Sequence, residues 1–344
     1  MLEFIFTLDY EIHGDGSGKL RDCVIRPTEE ILKIFQKYRY PLVIFPDVLE
    51  FEKIEKYRSD PDIDQVKVQL EKILTTGNEV GLHVHSWWIN AHLKNNGWEF
   101  DFNYANLCSL SKDHIKEIIE NGLMILRRFL NDSRYQPVVF RNGFWIMQPT
   151  KDIVEVLKNC SIQIDSTLFK GGRIKGYNVD YRPSIRNGYF WRIFDDINKP
   201  HEEGLLWEVP IYTELVPFWK MLSRFLGNPI IKEGETAVKE RRQKIMQKWN
   251  RMGDYFRLKY PRKLDYCFMN LHEILASLDK LILLDKKTES EYKPIVLVGH
   301  SKNLLDFKKV ERIVQFIKQR DLKIVTFSQV LTKISSLILR DNRK

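Results

Sequence analysis

Apolar residues along this chain fall into short continuous runs separated by amphipathic stretches. The first run, Met1–Tyr10 (MLEFIFTLDY), is β-branched and aromatic, is broken by Asp9, and predicts a buried strand over Glu3–Asp9. If the chain stays extended to residue 13, Asp9, Glu11 and His13 project to one side and Leu8, Tyr10 and Ile12 to the other. Further strands are expected over Pro41–Phe45, Glu79–His85 (EVGLHVH), Pro137–Arg141 (PVVFR), Ile162–Asp165, Leu205–Pro210 (LLWEVP), Leu264–Met269, Pro294–Gly299 (PIVLVG) and Leu322–Thr326. Helical spacing of apolar residues runs from Pro27 to about Tyr38 and over residues 62–76, where Gly77-Asn78 closes it. It resumes from Ser111, a good N-cap, to about Leu130, and again over Thr150–Lys158, Leu271–Lys287 and Leu304–Gln319, before a last helix.

Strand and helix thus alternate seven or eight times along the chain. Continuous rather than alternating apolar strands belong to a parallel sheet covered by helices on both faces, and a (β/α) barrel fits the count. Residues 170–200 read as loop and hairpin. Residues 212–262 change character. Leu215–Leu226 is amphipathic, with Leu215, Phe218, Trp219, Leu222, Phe225 and Leu226 on one stripe, and Thr236–Lys259 is long, basic and helical. The chain therefore reads as one α/β domain over 1–344 with a mainly helical insertion at about 212–262.

Composition narrows the class. With 344 residues, 43% hydrophobic and 29% charged, the chain is globular rather than disordered. Its four cysteines form no CxxC, which argues against a thiolate zinc site and against a disulfide framework. The formal charge of +9 gathers in Lys239–Arg251 and Arg340–Lys344, which read as solvated basic segments. No nucleic-acid motif accompanies them, so no nucleic-acid partner is expected, and no obligate protein partner is evident. No signal peptide and no run of about 18 apolar residues is present, so the expected location is cytoplasmic. The 215–226 stripe offers peripheral membrane contact, a lid or packed core.

Candidate chemistry collects where the strands end. These ends carry Asp9 and Glu11, then His83 and His85, then Arg141, Asp165 and His300. A barrel gathers such ends at one rim. His83-Val84-His85 is the most specific piece, because two histidines two apart on a strand share a face and can chelate one divalent metal. A carboxylate from the first loop supplies the third donor, and a nitrogen–oxygen set with open positions suits catalysis rather than structure. Arg141 is placed to hold a carboxylate by a bidentate pair, and His300 to protonate a leaving amine. Trp87, Trp88, Trp98 and Trp145 lie near these segments, and aromatic walls suit sugars.

Taken in order, the segments resemble the polysaccharide deacetylase (NodB-homology, carbohydrate esterase 4) superfamily. The family's Thr-Phe-Asp-Asp resembles Thr7-Leu8-Asp9-Tyr10, and its glycine-flanked, histidine-led motif resembles Gly77–His85. Arg-x-Pro-Tyr resembles Arg141-Asn142-Gly143-Phe144, an Asp-Ser motif resembles Asp165-Ser166-Thr167, and an apolar-x-His motif resembles Val298-Gly299-His300. The resemblance implies a distorted (β/α)7 barrel and metal-dependent removal of N-acetyl groups from sugars. It makes Asp9 the general base and His83 a metal ligand. Three departures stand out: Tyr10 replaces a ligand aspartate, Trp87 replaces the second histidine, and Gly143 replaces the proline. His85, with Glu11 or Asp15, is the physical substitute, and Glu11 completes the expected set of His83, His85 and Glu11 around a divalent ion, zinc by donor type.

The expected mechanism has metal-bound water attacking an acetamide carbonyl, Asp9 as base held by Arg141, and His300 as acid. Trp87, Trp88, Phe144, Asp165 and Val298 are the expected contacts to a carbohydrate substrate. The alternatives are hydrolysis of another non-peptide C–N bond on the same barrel, or a catalytically inactive carbohydrate-binding protein.

Overall fold

A computed structural model describes residues 1–95, 97–217 and 259–341. Its centre is the strand Leu2–Tyr10, buried along its length apart from a half-buried Glu3. This strand runs parallel to Lys293–His300, in register from Leu2 opposite Lys293 to Asp9 opposite His300. On its other side it pairs with Val43–Pro46. A strand with parallel partners on both edges and packing on both faces has no solvated side, which is why its sequence is apolar without alternation.

The two faces of that strand serve different cores. Phe4, Phe6, Leu8 and Tyr10 pack into the large cluster between sheet and helices. Ile5 faces a smaller inner cluster with Val43, Phe45, Val139, Ile164, Ile211, Val296 and Val298. Thr7 and Asp9 continue the inner face toward the strand's carboxyl end, as the alternation of side chains requires.

The pairing gives two five-stranded sheets rather than one closed ladder. One sheet holds Lys293–His300, Leu2–Tyr10, Val43–Pro46 and Glu79–Val80, with Lys323–Ile324 paired to the first strand. The other runs Trp191–Ile193, Leu206–Glu208, Ile164–Asp165, Val139–Asn142 and Leu82–Val84. The expected strand 79–85 is split between the sheets at Gly81, where a Cβ would lie 2.3 Å from the Phe45 ring. On the far side, among the described residues, only isolated bridges such as Ile211 to Val296 join the two. The α/β class and parallel order match the sequence reading; the closed seven-fold barrel is not formed by continuous pairing, and Trp191–Ile193 is antiparallel.

Most helices follow the expected signals. Ser111 caps Lys112–Phe129, accepting from the His114 N–H. Asn270 and Glu273 form a reciprocal capping box on Leu271–Lys287. Glu79 caps Phe327–Asp341 by accepting from the N–H groups of Phe327 (2.6 Å) and Ser328 (3.0 Å). One helix, Val48–Tyr57, is absent from the sequence reading; Asp47 caps it.

Two expectations need correction. Leu264–Met269 is not a strand, since only the Asp265–Val298 bridge forms before the chain turns. Leu215 does not begin a helix, because Thr213–Pro217 is a strand paired antiparallel with Lys259–Lys263. The rest of the 215–226 stripe, most of the 212–262 insertion, including Lys239–Arg251, and residues 342–344 lie outside the described residues. Among the described residues, no helix is long and apolar enough to cross a membrane. All four cysteines are free thiols.

Candidate metal centre and active site

Strand register assembles the site. Asp9 and His300 are opposite neighbours on adjacent strands, and so are His83 and Arg141. Asp47, at the end of the second strand, bridges to His83. All these ends open onto a cavity of about 400 Å³ whose lining includes Asp9, Glu11, Glu50, His83, His85, Asn142, Asp265, His300 and Lys302.

Glu11, His83 and His85 bring one donor atom each within 4.8 Å of the others. Glu11 Oε2 lies 3.3 Å from His83 Nε2 and 3.1 Å from His85 Nδ1. That is the separation of ligands that share one ion at about 2.1 Å. His83 Nδ1 lies 2.8 Å from the Arg141 carbonyl, to which it can only donate, so the ring would bind an ion through Nε2 once that nitrogen gives up the proton it shares with Glu11. Asp47 Oδ2 lies 2.7 Å from the same His85 Nδ1, so an ion bound at that nitrogen takes the place of this contact. Gly143 seals the ring's other edge, for a Cβ there would fall 2.1 Å from His85 Cδ2. The donor set therefore fits a divalent cation.

The charges are tightly balanced. Burial would raise Glu11, but Lys302, His85 and His83 outweigh it and hold the carboxyl well below the usual range. Burial would likewise depress His83, yet Glu11, Asp9 and Asp47 lift it to about 9. Burial raises Asp9, while Arg141, His300 and His83 bring it below its ordinary value, so it is ionised at neutrality. Burial pushes Glu50 well up, and Asp47 and Glu11 add to that. His300 is lowered by burial against the pull of Asp9 and Glu11.

Arg141 is fully buried and holds Asp9 through one contact, Nη1 to Oδ1 at 2.6 Å, rather than the expected bidentate pair. The same Nη1 donates to Thr7 Oγ1 (2.9 Å), while Nε donates to the Ser166 carbonyl (3.0 Å) and Nη2 to Ser166 Oγ (3.4 Å). The guanidinium also stacks 4.1 Å over the Phe45 ring. Asp9 Oδ2 stays open toward His300 Nε2 at 3.5 Å. His300 Nδ1 makes no hydrogen bond among the described residues, nor does Trp87 Nε1.

An aromatic wall flanks the centre. Phe144 stacks on Trp87 at 4.1 Å and on Tyr177 at 5.9 Å, and Trp87 lies 4.2 Å from the His85 ring. Phe144 and Trp145 both have positive φ, 53° and 60°. Bulky residues rarely adopt that region, and such strain collects at functional sites.

Of the residues expected from sequence, Asp9, Glu11, His83, His85, Trp87, Trp88, Phe144 and His300 line the cavity. Arg141 stands behind Asp9. Asp165 and Val298 are fully buried and do not reach the cavity: Asp165 bonds Thr167 Oγ1 at 2.6 Å, and Val298 packs in the inner core. His13 and Asp15 are exposed because the strand ends at Tyr10. Sequence reasoning missed Asp47, Glu50 and Lys302. The signal for Asp47 was the one that found Asp9, an acid at a strand's carboxyl end. Lys302 follows His300 by two residues, where a lysine ordinarily reads as solvated.

No protein-family model matches the chain, and no curated protein matches it. Solved structures do. A Mycobacterium smegmatis protein assigned as a polysaccharide deacetylase superposes with a TM-score of 0.53 at 12% identity, over 97% of this chain and 90% of that one. A 4-α-glucanotransferase from Thermococcus litoralis gives 0.49 at 14% identity, over 96% of this chain and 38% of that one. A family 4 carbohydrate esterase from Streptomyces lividans gives 0.41 at 8% identity, over 94% and 92%. The likeness to the first establishes a shared fold.

Proposed function

We propose that this chain, which has the fold of a protein assigned as a polysaccharide deacetylase, is a divergent member of that superfamily and a metal-dependent hydrolase of N-acetyl groups on a carbohydrate. The observation that carries the reading is the convergence of Glu11 Oε2 on His83 Nε2 (3.3 Å) and His85 Nδ1 (3.1 Å), beside Asp9 and His300 in one cavity. These three residues would hold the ion, zinc by donor type. A divalent cation, when bound, supplies a Lewis acid that lowers the pKa of water and polarises a carbonyl.

The chain's own residues supply the rest. Asp9 is ionised, fixed at one oxygen by Arg141 and open at the other, which suits it to take a proton from the attacking water. The new C–O bond forms as the C–N bond breaks. A proton then leaves the Asp9–His300 pair for the amine nitrogen. The exposed ring of Phe144, backed by Trp87, gives a sugar ring a face to pack on.

A second reading, a carbohydrate-binding protein without hydrolysis, is favoured by one contact. Lys302 Nζ already neutralises Glu11 at 2.9 Å. The test of the first reading is elemental analysis of purified protein beside a His83→Ala/His85→Ala variant, with acetate release from N-acetylglucosamine oligomers. About one equivalent of metal in the wild type, lost with acetate release in the variant, is the expected result. No metal after soaking in excess zinc overturns it in favour of the binding protein.

A further inference from the structure

The carboxylate of Glu11 is divided between two kinds of partner. Oε2 faces His83 Nε2 and His85 Nδ1. Oε1 faces Lys302, whose Nζ lies 2.9 Å away. The same ammonium donates to the Ile12 carbonyl at 2.9 Å, so it is tied to backbone as well as to carboxylate. The turn that carries it is stitched to the first strand. Ser301 Oγ accepts from the Glu11 N–H (3.3 Å) and donates to the Glu11 carbonyl (3.4 Å). Lys302 thus has little freedom to withdraw, and only 14% of its side chain is exposed.

We propose that Lys302 is a positioning residue of the metal centre, tying up Oε1 so that Glu11 binds an ion through Oε2 alone. The inference rests on the metal-dependent reading above. Its consequence is an open coordination position. A carboxylate that chelates with both oxygens would fill a place that a substrate carbonyl or a water must take, and catalytic sites keep such a place free. The buried cation beside Glu11 also weakens metal binding by direct repulsion. Lys302 therefore trades affinity for access.

That trade gives a directional test. Lys302→Met frees Oε1 and removes the repelling charge, and both changes tighten metal binding. A purely structural lysine would act the other way, because its loss would let Glu11 drift and weaken binding. Cobalt(II) is the probe, titrated into metal-stripped full-length protein and followed by its visible absorption, which weakens as coordination number rises. Lys302→Met is expected to bind roughly tenfold tighter, the size typical of outer-shell changes, with weaker absorption per ion. Lys302→Arg, which keeps the charge and the donors, is expected to match the wild type. Should Lys302→Met fail to fold, Lys302→Gln is read the same way. Affinity unchanged or weakened, with a wild-type spectrum, overturns the inference while leaving the metal site standing. No binding by the wild type overturns the metal reading itself.

Discussion

Arg141 donates to Asp9 across 2.6 Å, and both side chains are buried. A buried ion pair is costly to break because the survivor keeps its charge without a partner. Arg141→Met is expected to destabilise the protein by ~3–5 kcal/mol in urea unfolding. Adding Asp9→Asn to that variant should recover part of the loss, since the stranded carboxylate is gone. Strictly additive losses in the two single variants and the double would show that the pair is not coupled.

Gly143 fixes His85 by having no side chain. A Cβ at this position would meet His85 Cδ2 at 2.1 Å and Cγ at 2.8 Å, and Asp47 meets the ring from the other side. Gly143→Ala is therefore expected to lower zinc affinity by roughly tenfold or more, as displaced ligands do. Gly122→Ala is the control, because its Cβ finds nothing closer than 3.5 Å and it sits within a helix. Equal zinc affinity in the two variants would refute the packing argument.

What was legible in the sequence was local. Continuous apolar runs gave the parallel strands, and Ser111 and Asn78 lie where a helix starts and where one has ended. Polar residues at strand ends gave Asp9, Glu11, His83, His85 and His300, because a parallel arrangement gathers those ends whatever its exact closure. Asp165 followed the same rule and failed it. It lies opposite Glu208 on the neighbouring strand and bonds inward to Thr167, a partner choice that only three-dimensional register decides. Lys302 was missed for the converse reason: a lysine reads as solvated until a buried carboxylate stands 2.9 Å away. The split at Gly81 was also illegible, since nothing in EVGLHVH tells which sheet each half joins.

Glu208 and Asp165 make a pH-sensitive pair away from the metal ligands. Both are fully buried and face each other across parallel strands. Burial, with Asp165 adding to it, pushes Glu208 well above the usual carboxylate range, and burial raises Asp165 too. The folded protein then holds a proton that the unfolded chain has released, so stability falls as pH climbs above the ordinary carboxylate pKa, by up to ~1.4 kcal/mol per pH unit for each such group. Glu208→Gln is expected to flatten that dependence. Measured by urea unfolding from about pH 5 to 8, the gap between variant and wild type should shift steadily in the variant's favour. Parallel curves would show that Glu208 does not titrate in this range.

Phe144 is the exposed end of the aromatic wall, with 37% of its surface open and its ring on Trp87. Its φ of 53° is tolerated by asparagine far better than by a bulky side chain. Phe144→Asn therefore removes the ring without straining the turn, and its stability should stay within about 1 kcal/mol of the wild type. If the ring packs against a sugar equally before and during reaction, its loss is uniform binding lost: KM for N-acetylglucosamine oligomers rises while kcat holds. A contact worth about 1.4 kcal/mol gives a tenfold rise. A fall in kcat at constant KM would mean instead that the ring acts only in the transition state, through the Trp87 ring stacked behind it and the His85 ring set edge-on to it.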